Sequence, residues 1–403
     1  MDESANQSYV INGFRFSAVA AEVKKPGTDR LDLALVVADR PAVLAGVTTT
    51  NVVYAAPVAL TRQRLADGLC RAVLINSGNA NACTGQDGMN DARELTEKTA
   101  RELEVDPELV IPMSTGVIGA RLPMDRMMPR IPDLVRGLAA NRAPDVARAM
   151  MTTDTKPKMS FRTASISNGS FSALGMAKGS GMIAPRMATL LGVIVTDLKV
   201  PLPLLRDALV DSCSKTLNRI TVDGDTSTND TVIVLSGGFA EAPELGPSMR
   251  DREVFTQALE EICLDLARQL VADGEGATKL VEVHVCGVHN EEAADRLART
   301  IAESPLVKTA FHGEDPNWGR ILAAAGRSGV FFDSTRVDLF IGDVPVMRNG
   351  RPATTDWEPP AKREMSKNKF RVTLDLKAGS AEATFLTTDL SAEYVRINAD
   401  YRS

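Results

Sequence analysis

The stretch Lys178-Gly-Ser-Gly-Met-Ile-Ala-Pro-Arg-Met-Ala-Thr-Leu-Leu-Gly-Val-Ile-Val195 decides how this 403-residue chain is read. A glycine-rich loop, broken at Pro185, runs through Ala188-Thr189 into the uncharged segment Leu190–Val195. Its shortness, β-branched content and lack of charge predict a buried strand. Thr189 then stands at the mouth of a core strand, with χ1 restricted by two heavy atoms on Cβ. A plain threonine capping that strand is one reading. The other is a nucleophile, which needs a base. The three histidines, His284, His289 and His312, all lie far downstream, and there is no G-x-S-x-G elbow, H-E-x-x-H or serine–lysine signature. A threonine can instead be activated by its own α-amine once it begins a chain. That amine, with a reference pKa of roughly 7.7–8.0, suits a base near neutral pH. Such chemistry requires the Ala188–Thr189 bond to break, by acyl shift onto the Thr189 hydroxyl and hydrolysis of the ester.

Outward from this stretch, Asn168-Gly169 separates two alternating segments and predicts a hairpin that feeds the Lys178 loop. Strands are expected at Leu31–Val37, Ala72–Ile75, Val232–Leu235, Leu280–Cys286 and Val337–Ile341. A further pair, Phe370–Leu376 and Ala381–Leu386, is expected to form a hairpin across Gly379. Helical spacing marks Asp91–Leu103, Asp145–Met151, Leu204–Leu217, Glu253–Ala272, Glu291–Glu303 and Trp318–Ala325. Helices interleave with hairpins instead of regular βαβ units, which predicts an α+β fold with mainly antiparallel sheets. The Gly237–Pro247 stretch is the candidate linker, dividing residues 1–238 from a smaller α+β domain over 250–403.

Composition narrows the class. Length suggests two or three domains. Hydrophobic residues at 44% and charged residues at 24% are ordinary for a globular protein. A net charge of −6 argues against a broad nucleic-acid or acidic-membrane surface. The acidic, polar N-terminus is unlike a signal peptide, and no apolar run approaches the ~20 residues of a membrane helix. The five cysteines are scattered, never spaced C-x-x-C, and suit buried free thiols in a cytoplasmic enzyme. Asp223-Gly-Asp-Thr-Ser-Thr-Asn229 begins like a calcium loop. It then places Thr228 where glycine is required and Val234 where the bidentate glutamate belongs, so no metal is expected. Without a G-x-G-x-x-G or Walker loop, no nucleotide cofactor is expected either.

The Lys178–Leu190 motif resembles the self-cleavage and nucleophile motif of the ornithine acetyltransferases, the glutamate N-acetyltransferases of the cyclic arginine pathway. The likeness runs along nearly the whole chain. It includes Asn76-Ser-Gly-Asn-Ala-Asn-Ala-Cys-Thr-Gly85, Ser114-Thr-Gly-Val-Ile-Gly119, Thr152-Thr-Asp-Thr155 and Ile220-Thr-Val-Asp-Gly-Asp-Thr-Ser-Thr-Asn-Asp-Thr231. Asp315-Pro-Asn-Trp-Gly-Arg-Ile321 and the tail Ile397-Asn-Ala-Asp-Tyr-Arg-Ser403 complete it. The resemblance implies a helix–sheet–sheet–helix sandwich like the N-terminal-nucleophile hydrolases, with a smaller second domain whose tail returns to the active site. It implies cleavage at Ala188–Thr189 and Thr189 as nucleophile. Thr115, through its side chain, and Gly116, through its N–H, are implied to form the oxyanion hole. Thr152, Lys178, Thr189, Glu275, Asn398 and Ser403 are implied to bind substrate. On residue grammar alone, Ser114–Gly119 could be a plain turn, Lys178 a solvated lysine and Glu275 a helix-terminal residue. The family usually has Asn where Arg186 stands and often Met where Leu191 stands.

The implied reaction moves an acetyl group from N-acetylornithine to Thr189 and then to glutamate. Acetyl-CoA stays open as an additional donor, and no resident cofactor is implied. The fragments 1–188 and 189–403 are expected to stay associated, as a heterotetramer of two of each. A hydrolase or aminopeptidase on the same self-cleaving scaffold is the alternative enzyme, and an uncleaved binding protein the alternative outside enzymes.

Overall fold

The computed structural model describes residues 9–184, 190–242, 244–353 and 356–400. The first sheet contains β1 (Phe14–Val19), β2 (Leu33–Thr48), β3 (Leu69–Asn79), β4 (Val110–Val117), β5 (Lys158–Ile166), β6 (Gly169–Lys178) and β7 (Leu191–Thr196). The next strand in the chain, β8 (Ile220–Thr221), belongs to the second sheet, and β9 (Thr231–Ser236) returns to the first. Their order is β4-β3-β2-β9-β7-β6-β5, with β1 on the other side of β2.

One strand makes this sheet a sandwich. β2 is buried along both faces except at Asp39, Arg40 and Pro41, where its register slips. Proline has no N–H for the ladder, so a strand bends there. Before the bend, Leu33, Leu35 and Val37 face outward against Leu95 and Ala100 of the helix Gly85–Leu103 and against Ile131 and Leu134. Ala34, Val36 and Ala38 face inward. Beyond it, Leu44 stays in that inner core, while Ala45 and Val47 pack under the helices Leu202–Lys215 and Met249–Ala272. The inner core therefore lies between two layers of one folded sheet. Ile75, Ile111 and Met113 come from one layer, and Leu174, Met176, Val193, Val195 and Leu235 from the other. The α+β class and the helix–sheet–sheet–helix layering follow the sequence expectation.

The second sheet has the order β13 (Arg351–Pro352), β12 (Val344–Arg348), β11 (Asp338–Ile341), β14 (Lys369–Asp375), β10 (Leu280–Val288), β15 (Ala381–Thr388) and β8. The helices Glu291–Ala302, Pro305–His312, Trp318–Gly326 and Glu358–Met365 cover one of its faces. The helix Met249–Ala272 packs with the sandwich, and β8, which precedes the candidate linker, pairs with β15.

Several local expectations are corrected. Phe370–Leu376 and Ala381–Leu386 do not form a hairpin, because β10 inserts between them, parallel to β14 and antiparallel to β15. The pairs β3–β4, β7–β9 and β8–β15 are parallel as well, so both sheets are mixed, while most pairs are antiparallel as expected. The β5–β6 hairpin forms as expected, but Ser167 and Asn168 make its turn. Gly169, with φ of +138°, opens β6. Cys83 is exposed.

Candidate active site

The cavity is built first from the ends of β3 and β4, which run in parallel so that Asn76–Gly78 lie beside Ser114–Gly116. The Ser114 hydroxyl donates to Asn76 Oδ1 at 2.6 Å, and Asn76 Nδ2 donates to the Asn79 carbonyl at 2.8 Å. Asn229, from the loop before β9, donates to the carbonyls of Ala80 (2.7 Å) and Ser114 (2.8 Å). These amides consume the polar groups around Thr115 and fix its backbone. Gly116 has φ of +132°, and a Cβ there would meet the Gly78 carbonyl carbon at 2.3 Å. Only glycine fits.

β6 ends at Lys178, whose Nζ donates to Thr115 Oγ1 at 3.1 Å. A hydroxyl is both donor and acceptor. Since Thr115 accepts from a lysine, its own proton remains to be given to something in the cavity. Burial pushes the Lys178 ammonium below the usual lysine range, and the Asp154 carboxylate opposes this most.

Glu275 follows the helix Met249–Ala272. Its N–H donates to the Ser180 carbonyl at 3.0 Å. Its carboxylate lies against Gly181, where a Cβ would be 2.4 Å from Oε2. Asn398, on the C-terminal helix Ala392–Asp400, donates Nδ2 to Glu275 Oε2 at 2.8 Å.

Thr115, Gly116, Thr152, Lys178, Glu275 and Asn398, far apart in the chain, all line one cavity. The tail thus returns to it through Asn398. Leu190, the residue after Thr189, lines it too. Ala188, Thr189, Arg186 and Ser403 lie outside the described residues. A ligand bearing both a carboxylate and an ammonium would find Lys178 for one and Glu275 for the other.

Asp230, which sequence reasoning passed over, also lines the cavity. It is 2% exposed, its Oδ2 has no hydrogen-bond partner among the described residues, and burial raises its carboxyl well above the usual range. A lone aspartate in a polar loop carries no sequence signal for this. Asp223 accepts from the N–H groups of Met182 (2.6 Å) and Ile183 (2.8 Å), which pins the Lys178 loop in the manner of a structural turn. Asn317 caps its helix by accepting from the Arg320 N–H at 3.1 Å. Trp318 packs in the second core, away from the cavity. Among the described residues, no group of three or more acidic, histidine or cysteine side chains is placed to hold a metal, and no helix is long and apolar enough to cross a membrane.

A family model described as ArgJ family matches residues 15–403. The chain is similar to the arginine biosynthesis bifunctional protein ArgJ of Geobacter sulfurreducens, with 49% identity over 98% of this chain and 100% of that protein. A crystal structure of the arginine biosynthesis bifunctional protein ArgJ of Bacillus halodurans is 40% identical over 51% of this chain and 96% of that one, with a TM-score of 0.49. An ornithine acetyltransferase of Mycobacterium tuberculosis, solved in complex with ornithine, is 39% identical over 44% of this chain and 94% of that one, with a TM-score of 0.39. A match along almost the whole length, joined to near-50% identity with a full-length relative, means that this chain belongs to the ArgJ family.

Proposed function

We propose that this chain is an acyltransferase of arginine biosynthesis that carries acetyl from N-acetylornithine to glutamate on Thr189. Before turnover, Thr189 Oγ attacks the Ala188 carbonyl, the peptide nitrogen leaves as the Thr189 amine, and water hydrolyses the resulting ester. In turnover that amine takes the hydroxyl proton as Oγ attacks the acetyl carbonyl of N-acetylornithine. The oxyanion is held by the Thr115 hydroxyl and the Gly116 N–H. Collapse returns the proton to the departing nitrogen and releases ornithine. The glutamate amine then attacks the acetyl ester, giving N-acetylglutamate and free Thr189. Neither half requires a resident cofactor. Acetyl-CoA is an additional donor in this scheme, as "bifunctional" in the relatives' name suggests. The two fragments work as a heterotetramer, in the cytoplasm, where free thiols such as buried Cys70, Cys213 and Cys263 persist.

The observation that carries this reading is the cavity itself. It joins a hydroxyl with a free proton (Thr115), a cation (Lys178), a carboxylate (Glu275) and the residue that follows Thr189. Protein sequencing and intact-mass measurement test it. A new chain beginning Thr-Leu-Leu-Gly, gaining one acetyl group on exposure to N-acetylornithine alone, is expected. An uncleaved chain, or turnover with no acetylated fragment, would sink the scheme. Acetate released without any acceptor would point to the hydrolase.

A further inference from the structure

Behind the cavity lies a buried ionic cluster that the reaction above does not use. The Asp154 side chain is fully buried. It accepts from Lys158 Nζ at 2.6 Å, from the Gly179 N–H at 2.7 Å and from the Thr152 N–H at 2.9 Å. Lys158 Nζ also donates to Asp273 at 2.6 Å. Asp273 in turn accepts from the Thr155 N–H at 3.0 Å and from the Thr155 hydroxyl, and its carbonyl accepts from Ser180 Oγ at 2.6 Å. Ser180 holds the Glu275 N–H. One cluster thus grips backbone at or beside Thr152, Lys178 and Glu275, three separate walls of the cavity.

The charge count matters as much as the geometry. Two lysines, Lys158 and Lys178, are buried here, and among the described residues the hydrogen-bond partner of Lys178 is a neutral hydroxyl, that of Thr115. Among the described residues, four charged or titratable groups face Lys178: Asp154 from the loop after the helix Ala143–Met150, Lys158 from β5, Asp230 ahead of β9, and Glu275. Burial and Lys158 push its ammonium down, and Asp154 opposes them most. Against burial, which raises it, Lys178 and Lys158 hold the Asp154 carboxyl down to about 2. Asp273 takes up the far side of Lys158, which leaves Asp154 charge for Lys178. A buried cation without such a partner gives up its proton.

We propose that Asp154 is the positioning counter-ion of Lys178, keeping that lysine charged for the substrate carboxylate while its bonds to Thr152 and Gly179 set the cavity walls. The proposal rests on the acetyl-transfer reading but is tested separately from it. Steady-state kinetics of the cleaved enzyme with N-acetylornithine and glutamate would be followed from pH 6 to 10. The lysine is charged below its pKa, so KM should rise on the alkaline side as Lys178 loses its proton. In Asp154→Asn that rise moves down by at least about one pH unit, with roughly tenfold higher KM at the midpoint and kcat changed much less. In Lys158→Met, which removes a like charge, it moves up. The substrates' own amines titrate alike in all three proteins, and the Thr189 amine, which must be neutral to act as base, shapes the acid side of kcat, so the alkaline limb of KM reports Lys178. If Asp154→Asn fails to fold, the upward shift in Lys158→Met still decides. An unmoved limb in either variant, or shifts of the same sign, overturns the proposal. If wild-type Thr189 is never acetylated, the acetyl-transfer reading fails instead.

Discussion

In the proposed scheme Thr115 does two things with one hydroxyl: it accepts from Lys178 at 3.1 Å and donates to the oxyanion. Replacement by valine keeps the shape and removes both. Loss of one oxyanion donor typically costs ~2.7–4 kcal/mol, so Thr115→Val should lower kcat by about 10²–10³-fold with a smaller change in KM. Stopped assays with N-acetylornithine check this. Gly181 makes a different demand. A methyl group there would stand 2.4 Å from the Glu275 carboxylate, so Gly181→Ala must displace that side chain. The expected result is a rise in KM for N-acetylornithine by at least about tenfold, the scale of a lost charged hydrogen bond, with the oxyanion contacts left intact. At this scale the sequence was legible only where a motif named the residue. Thr115, Gly116, Thr152, Lys178, Glu275 and Asn398, which the resemblance singled out, line one cavity, whereas Asp230, Asp154 and Asp273 did not announce themselves. A carboxylate's role depends on what buries it, and that is decided by distant strands.

Among elements, the inner core between the two layers depends on side chains such as Leu174 of β6, which is wholly buried. Leu174→Ala should destabilise by about 2–5 kcal/mol, seen as a lower urea midpoint, while the cavity chemistry survives in what remains folded. The helix Pro305–His312 offers a pH test. Burial, opposed by Asp389 and Asp223, lowers Lys308 to about 7. An unfolded lysine keeps its proton to about 10.4. Between those two values the unfolded chain binds more protons, so stability rises with pH there, and the penalty for burying the charge is complete below about 7. Unfolding free energies from pH 6 to 10 should show that rise, and Lys308→Met should flatten it. Elements were legible where the local pattern was strong, as in the uncharged, β-branched run of β7 and the helical spacing within Met249–Ala272. Pairing was not: β14 and β15 are neighbours in sequence with a glycine between them, yet β10 separates them. A parallel partner arriving from ninety residues upstream leaves no trace in local pattern.

For the whole molecule, the bend of β2 at Asp39–Pro41 means that both layers share one hydrogen-bonded ladder. The expected break after Ala188 falls between β6 and β7, which are antiparallel neighbours from Ala173↔Thr196 to Lys178↔Leu191. β2, from the first fragment, also pairs with β9, from the second. The fragments should therefore co-elute on gel filtration after cleavage and separate only in denaturant; separate elution under native conditions would contradict the shared sheet.

That interleaving frees the design from its own peptide bond. Residues 1–188 and 189–403 could be encoded by two genes, translated side by side, and would knit into one catalyst only while both are still unfolded. A second half with its initiator methionine removed would be born with the threonine amine already bare, so the hydroxyl attack on Ala188 in the proposed scheme would no longer be needed.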